Sequence, residues 1–303
     1  MRYIELGLVS ERYFNNMMSK FAILDEMSKI YDDDICLVFK NVSYISPAVA
    51  LIILAIRDTL KQKGKRLFFR ANELKENEAV LNFFLRSGLN KVIAEGSRLI
   101  VEKVRNTSHR VSTSSEYFAH CLDLVALNTK SQSEISLHLL SEAQNSVKAV
   151  GSTDTEFVYF LISKLIELLN NAAYHSKSEK VYIMAAQDNH QGCILAVYDR
   201  GIGIPGAYDN YAAENNKPPL KDEEAIQWAL QRGNSTQQNQ NGVPRGVGLF
   251  TIHDQIDKCQ GWMAIASRKG TYFYGNQDEV LTHMSLALTG TMILIRIPAN
   301  FRT

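Results

Sequence analysis

Glu167 and Asn171 lie four residues apart in a run of helical periodicity, so a carboxylate and an amide share one side of a helix. Alone, such a pair is an ordinary polar stripe on a solvated face. Three groupings downstream give it something to face. Asp199 is followed by Gly201 and Gly203, which sets a fixed acceptor at a strand end beside a flexible backbone turn. An acceptor so placed suits an exocyclic amine such as that of adenine. Gly246 and Gly248 open an apolar helix, where free backbone N–H groups and the helix N-terminus attract anions. That is the chemistry a polyphosphate needs. Gly290 and Thr291 then precede a last apolar stretch, ILIRIP.

These residues need elements to hold them. A helix is expected over 155–178, ending near His175, with residues 152–154 as its cap. Val158, Leu161, Leu165, Leu168 and Ala172 form its apolar stripe, and Lys164, Glu167, Asn171 and Tyr174 form a second. Residues 180–186 and 192–198 read as two strands of an antiparallel hairpin, and Asp199 follows the second directly. A helix over 225–233 is expected to stop at Gly233, and the last strand begins after Thr291. The polar run between them, NSTQQNQNGVPR, has no apolar periodicity and should be mobile. Upstream, helices are expected near 117–128 and over 133–150, with Gly151 ending the second.

In this order the four groupings resemble the motifs of the GHKL ATPase superfamily, which includes DNA gyrase, mismatch-repair ATPases, histidine kinases and anti-sigma-factor serine kinases. Glu167-x-x-x-Asn171 resembles the N box, Asp199-x-Gly201-x-Gly203 the first glycine box, Gly246-x-Gly248 the second, and Gly290-Thr291 the closing strand motif. The resemblance covers residues 135–303 and implies a Bergerat-type α/β sandwich that binds ATP and Mg²⁺. By it, Asn171 ligates the metal, and Glu167 is the general base for water or a substrate hydroxyl. Asp199 accepts from the adenine amine with Thr291 close by, and Gly201, Gly203, Gly246 and Gly248 let the backbone approach the nucleotide. Residues 206–245 would be a lid over the phosphates. Arg245 either reaches the γ-phosphate or stays solvated on that lid; Lys164 and His175 are likewise open between site and surface.

The first third reads as a small α/β domain. A strand near 35–39 leads to a helix that Pro47 begins and Gly64 stops; a strand over 65–69 follows, then a helix over 76–86. Strand, turn, helix and the tail FFLRSGLNKVI resemble the STAS domain of anti-sigma-factor antagonists. Where phosphorylated members carry Asp-Ser, this chain has Ser46-Pro47, which implies a docking or dimerising module instead of a phosphorylation switch. The fold class expected is α+β: a STAS-like domain over 1–108, a connector over 109–134 and the ATP-binding domain.

Composition excludes several classes. Net charge is +1 across 303 residues, so no global basic field points to nucleic acid or acidic membranes. The four cysteines make no CxxC pair and the seven histidines no metal-ligand spacing. No apolar run spans a bilayer and the start is not a signal peptide, so a cytosolic protein is expected. None of His109, His120 and His138 is followed by an acidic residue, which argues against an autophosphorylating histidine kinase. The expected function is a regulator with slow ATPase or protein serine/threonine kinase activity toward a protein partner, with a homodimer as one arrangement. The alternative is an ATP-gated switch without phosphotransfer, working in a larger complex.

Overall fold

The computed structural model describes residues 2–6, 34–39, 47–69, 117–124, 131–148, 152, 154–187, 192–236 and 248–298. Among the described residues it is mixed α/β, with two sheets. β1 (Arg2–Leu6), β2 (Ile35–Phe39) and β3 (Leu67–Phe69) form a three-stranded parallel sheet in the order β1-β2-β3. Helix α1 (Pro47–Gln62) crosses from β2 to β3, as expected for a βαβ unit. Gly64, at φ +67°, ends it, and Lys65 N–H donates to Leu60 O at 2.8 Å. The helix expected over 76–86, Ser46 and the tail FFLRSGLNKVI lie outside the described residues.

The second sheet is antiparallel throughout, in the order β4-β5-β6-β8-β7. Its strands are β4 (Tyr117–Asp123), β5 (Lys180–Gln187), β6 (Cys193–Asp199), β7 (Trp262–Gly275) and β8 (Asp278–Ile297). Sequence reading puts a helix near 117–128; the structure puts strand β4 over 117–123, and 125–128 lie outside the described residues. A run as short as YFAHCLD suits either state. Pairing along β5, from Tyr117 opposite Ala186 to Asp123 opposite Lys180, decides for strand by giving the backbone its partners. The expected hairpin is present as β5 and β6. The long β7–β8 ribbon went unforeseen except for its last stretch, because its hydrophobic pattern is interrupted by Arg268, Lys269 and a bulge at Ser267–Gly270.

Helices α2 (Gln132–Lys148), α3 (Thr155–His175) and α6 (Gly248–Lys258) pack on one face of this sheet. Between β6 and α6 come α4 (Gly203–Glu214) and α5 (Asp222–Ala229). Alternation along the strands fixes the faces. Val181, Ile183, Ala185, Leu195, Val197, Ile293 and Ile295 meet Leu161, Leu165, Leu168 and Ala172 of α3 in one core. The intervening Tyr182, Met184, Ala196, Tyr198, Met292 and Leu294 are buried as well. Helix α1 covers that other face, packing on β5, β6 and β8. It is apolar nearly all round, the mark of a helix covered on several sides. No helix among the described residues is long and apolar enough to cross a membrane.

Candidate functional site

Helix α3 starts as anticipated. The Asp154 carboxylate accepts from Glu156 N–H at 3.0 Å and Phe157 N–H at 3.2 Å, a cap that fixes the helix start. With its apolar stripe on the sheet, α3 turns Glu167 and Asn171 toward the first residue of α6. There Gly248 fits because it has no side chain: a Cβ would lie 2.8 Å from Glu167 Oε2 and 3.8 Å from both Asn171 amide atoms. Three residues separated by up to 81 positions thus meet at one point. Asn171 Nδ2 is buried and has no hydrogen-bond partner among the described residues. A buried amide left unpaired costs free energy that a ligand would recover.

The other end of the site is the turn after β6. Asp199 faces Thr291 across the β6–β8 ladder. Its Oδ1 accepts from Gly201 N–H at 2.8 Å. The loop that follows α3 clamps the turn from below: Arg200 N–H donates to Ser178 Oγ at 2.9 Å and Ile202 N–H to Ser176 O at 2.8 Å. Gly201 is obligatory, since a Cβ would sit 1.8 Å from Ser176 O. Gly290, at φ +86°, is pinned in the same way, since a Cβ there would sit 2.0 Å from Asp199 O. Thr291 Oγ1 accepts from Ile204 N–H at 3.2 Å and lies 2.9 Å from Ser267 Oγ. Ser267 Oγ in turn lies 3.0 Å from Gly290 O, donating to it. Gly201→Ala is therefore expected to open this turn at a cost of about 1–3 kcal/mol, read as a lowered urea midpoint. An unchanged midpoint would show that the turn is not held as described.

Asp199 is buried, 6% exposed. Burial pushes its carboxyl up to about 7, although hydrogen bonds from the Gly201 and Thr291 backbones and from Ser176 pull the other way. A carboxyl so poised, at the wall of a cleft, is a ligand-site signal. The cleft runs between Asp199 and Asn171. Leu168, Ala172, Val197, Ile204 and Ile293 give it apolar walls, and Asn171, His175, Ser176 and Thr291 supply polar points. Apolar walls with few convergent polar groups are what a small-molecule site offers. Trp228 and Ala229 of α5 and residues 234–236 close one side.

The structure thus brings Asn171, Asp199, Gly203, Gly248 and Thr291 to one cleft, with Glu167 against Gly248 and Gly201 in the turn below. Arg245 and Gly246 lie outside the described residues. His175 lines the cleft, its Nδ1 3.3 Å from Thr236 Oγ1. Lys164 is not a surface residue. It is 4% exposed, its Nζ 5.0 Å over the Phe160 ring, and burial lowers its pKa against the opposing pull of Glu167. No group of three or more His, Cys, Asp or Glu among the described residues could hold a metal alone. A magnesium ion sharing its coordination with phosphate and water would take the Asn171 side-chain oxygen, while the unpaired Nδ2 is a donor that suits an anion beside it.

Much of the expected lid is packed structure. Its first half holds α4 and α5, joined through Tyr208, Ala212 and Ala225, with Trp228 edge-on to Tyr208 at 4.9 Å between ring centroids. Arg268 of β7 reaches Asp209 at 2.6 Å and ties α4 to the sheet. Helix α5 begins at Asp222, three residues before the expected start, because Glu224 accepts from Lys221 N–H at 2.9 Å and caps it. Sequence reading missed Ser176, Ser178, Ser267 and Trp228. The Ser-x-Ser spacing just after a helix was a usable signal for the first pair, since short hydroxyl side chains there bond to nearby backbone. Ser267 had none, because only strand pairing delivers it.

Comparison with protein-family models, with curated proteins and with solved structures finds no match to this chain.

Proposed function

We propose that the cleft binds ATP with Mg²⁺ in the manner of a GHKL ATPase, and that the protein is a cytosolic regulator with slow ATPase or serine/threonine kinase activity toward a protein partner. One observation carries the reading: Glu167, Asn171 and Gly248 converge at one end of a cleft whose other end is Asp199 and Thr291. In this reading Asp199 takes the adenine amine, and the N–H groups opening α6 from Gly248 face the phosphates. Asn171 would hold the magnesium, which when bound neutralises phosphate charge. Glu167 accepts the proton of the attacking oxygen as that oxygen bonds to the γ-phosphorus and the bond to the bridging oxygen breaks, releasing ADP. The parallel β1-β2-β3 sheet with α1 supports a STAS-like docking or dimerising module at the N-terminus.

A second reading, an ATP-gated switch without phosphotransfer, is favoured by the seat of α1 on the sheet directly behind the site. Incubation with γ-labelled ATP and Mg²⁺, with and without candidate partner proteins, separates them. Label on protein identifies the kinase, and free labelled phosphate the ATPase. Bound ATP with neither leaves the switch, and absence of binding overturns the proposal.

Asp199 also sets a pH dependence. With its carboxyl at about 7 in the free protein, part of the population carries a proton that the adenine amine must displace. ATP affinity is expected to rise as pH increases from 6 to 7 and to level off above 8. Asp199→Asn should flatten the curve over that interval. A wild-type profile identical to that of the variant would contradict the role of the carboxylate.

A further inference from the structure

Asp58 is the only acidic residue of α1, and it is 3% exposed in a helix whose other buried residues are apolar. A carboxylate in that position is tolerated only when charges and donors surround it. Arg57 donates to its Oδ1 through Nε at 2.9 Å and Nη2 at 2.7 Å. The same Nη2 donates to the Tyr182 hydroxyl on β5 at 2.8 Å, and that hydroxyl donates to Asp58 Oδ2 at 3.4 Å. The remaining charge partner comes from the candidate site. Arg200 Nε lies 3.2 Å from Asp58 Oδ2, an ion pair whose N–H is not aligned as a hydrogen bond. Arg200 stands between Asp199 and Gly201, and its N–H is already fixed on Ser178 Oγ.

We infer that Asp58 and Arg200 are a positioning pair through which the N-terminal layer sets the Asp199 turn, and with it the affinity for the adenine base; this rests on the nucleotide reading above. The geometry is direct. One residue of the turn, Arg200, is held through its backbone N–H by Ser178 and through its side chain by Asp58 of α1. Between them, the backbone can shift only if α1 shifts or the ion pair breaks. Tyr198, which precedes Asp199, stacks on Tyr182 at 5.9 Å, so the residues on both sides of Asp199 meet the same α1 cluster. Coupling of this kind is reciprocal. A partner that displaces α1 loosens the nucleotide, and the nucleotide tightens the seat of α1.

The test uses the full chain and four variants: Asp58→Asn, Arg200→Met, the double variant and Arg200→Lys. Hydrogen exchange of the Gly201, Ile202 and Ile204 amides is followed without nucleotide, and ATP affinity is measured in parallel. Each of the first two variants should speed exchange in the turn and weaken ATP binding by about tenfold, within the range of ordinary site coupling. The double variant should be no worse than either single one, Arg200→Lys should recover part of the loss, and amides of the β7–β8 pair should stay protected. Unchanged turn exchange in Arg200→Met, or effects that add in the double variant, would overturn the inference. If Asp58→Asn loosens the β7–β8 amides as well, Arg200→Met and Arg200→Lys decide the question, because they leave the α1 core intact. A wild-type protein that binds no ATP would refute the proposed function, while the nucleotide-free exchange would still decide the pair.

Discussion

Glu167→Gln is expected to lower ATP turnover by about 10²- to 10⁴-fold, the usual worth of a positioned general base, while ATP affinity changes little. The substitution keeps the volume of the side chain that meets Gly248, so the approach of α6 to α3 is preserved. It removes the Glu167 carboxylate, which the structure sets at the start of α6 near Asn171. The amide cannot take the proton released as the attacking oxygen bonds to phosphorus. Turnover and affinity should therefore separate, which simple damage to the fold would not produce. Single-turnover rates and equilibrium binding on the same sample check this. Turnover that survives in the variant would remove Glu167 from the chemistry and leave Asn171 and the glycines as a binding site only.

Asp199→Asn should act in the opposite sense, weakening ATP binding by about 10- to 100-fold, as expected for a lost hydrogen bond to a charged group and an unpaired donor left in its place. The Asn oxygen is claimed by Gly201 N–H, which now donates to Asp199 at 2.8 Å. That turns the NH₂ end toward the adenine amine, donor against donor. Stability of the free protein should move the other way. Folded Asp199 keeps its proton up to about 7, against an ordinary value of 3.8. The folded state thus binds more protons between these values, and its stability is full below the lower value and falls as pH rises through the upper one. Asparagine resembles the protonated form and escapes that loss. At pH 8 the variant should unfold at a higher denaturant concentration than wild type, and at pH 4 the gain should vanish. A binding site maintained at the expense of stability has this signature. A variant less stable at pH 8 would show that the carboxylate is structural.

Where Asp199, Gly248, Glu167 and Asn171 fall was legible because each carries its own physical mark. Asp199 closes a strand, Gly248 opens a helix, and Glu167 and Asn171 share the polar side of an amphipathic one. The glycines proved to be required for a reason sequence does not show. Gly201 and Gly290 lie where two chain segments approach within van der Waals distance, at Ser176 O and Asp199 O. The parts that escaped depend on partners distant in sequence. β4 is a strand because β5 is beside it, and Ser267 reaches Thr291 only through the β7–β8 ladder. Helix α4 hid in a stretch with Gly203, Pro205 and Gly206, residues that weaken helix propensity. It holds because Tyr208 packs on Trp228 and Arg268 bonds Asp209. The burial of α1 against the second sheet also escaped, since its sequence is apolar enough for any covered helix. Only Arg57 and Asp58, polar residues inside that run, marked the side that meets Tyr182 and Arg200.

The most direct test of the account is a calorimetric titration of the full chain with a non-hydrolysable ATP analogue in the presence and absence of Mg²⁺. Saturable one-to-one binding is expected that weakens without the metal, weakens again in Asn171→Ala, and loses its metal dependence in that variant. Binding that is absent, or that is unchanged by both the metal and the loss of the Asn171 amide, would contradict it.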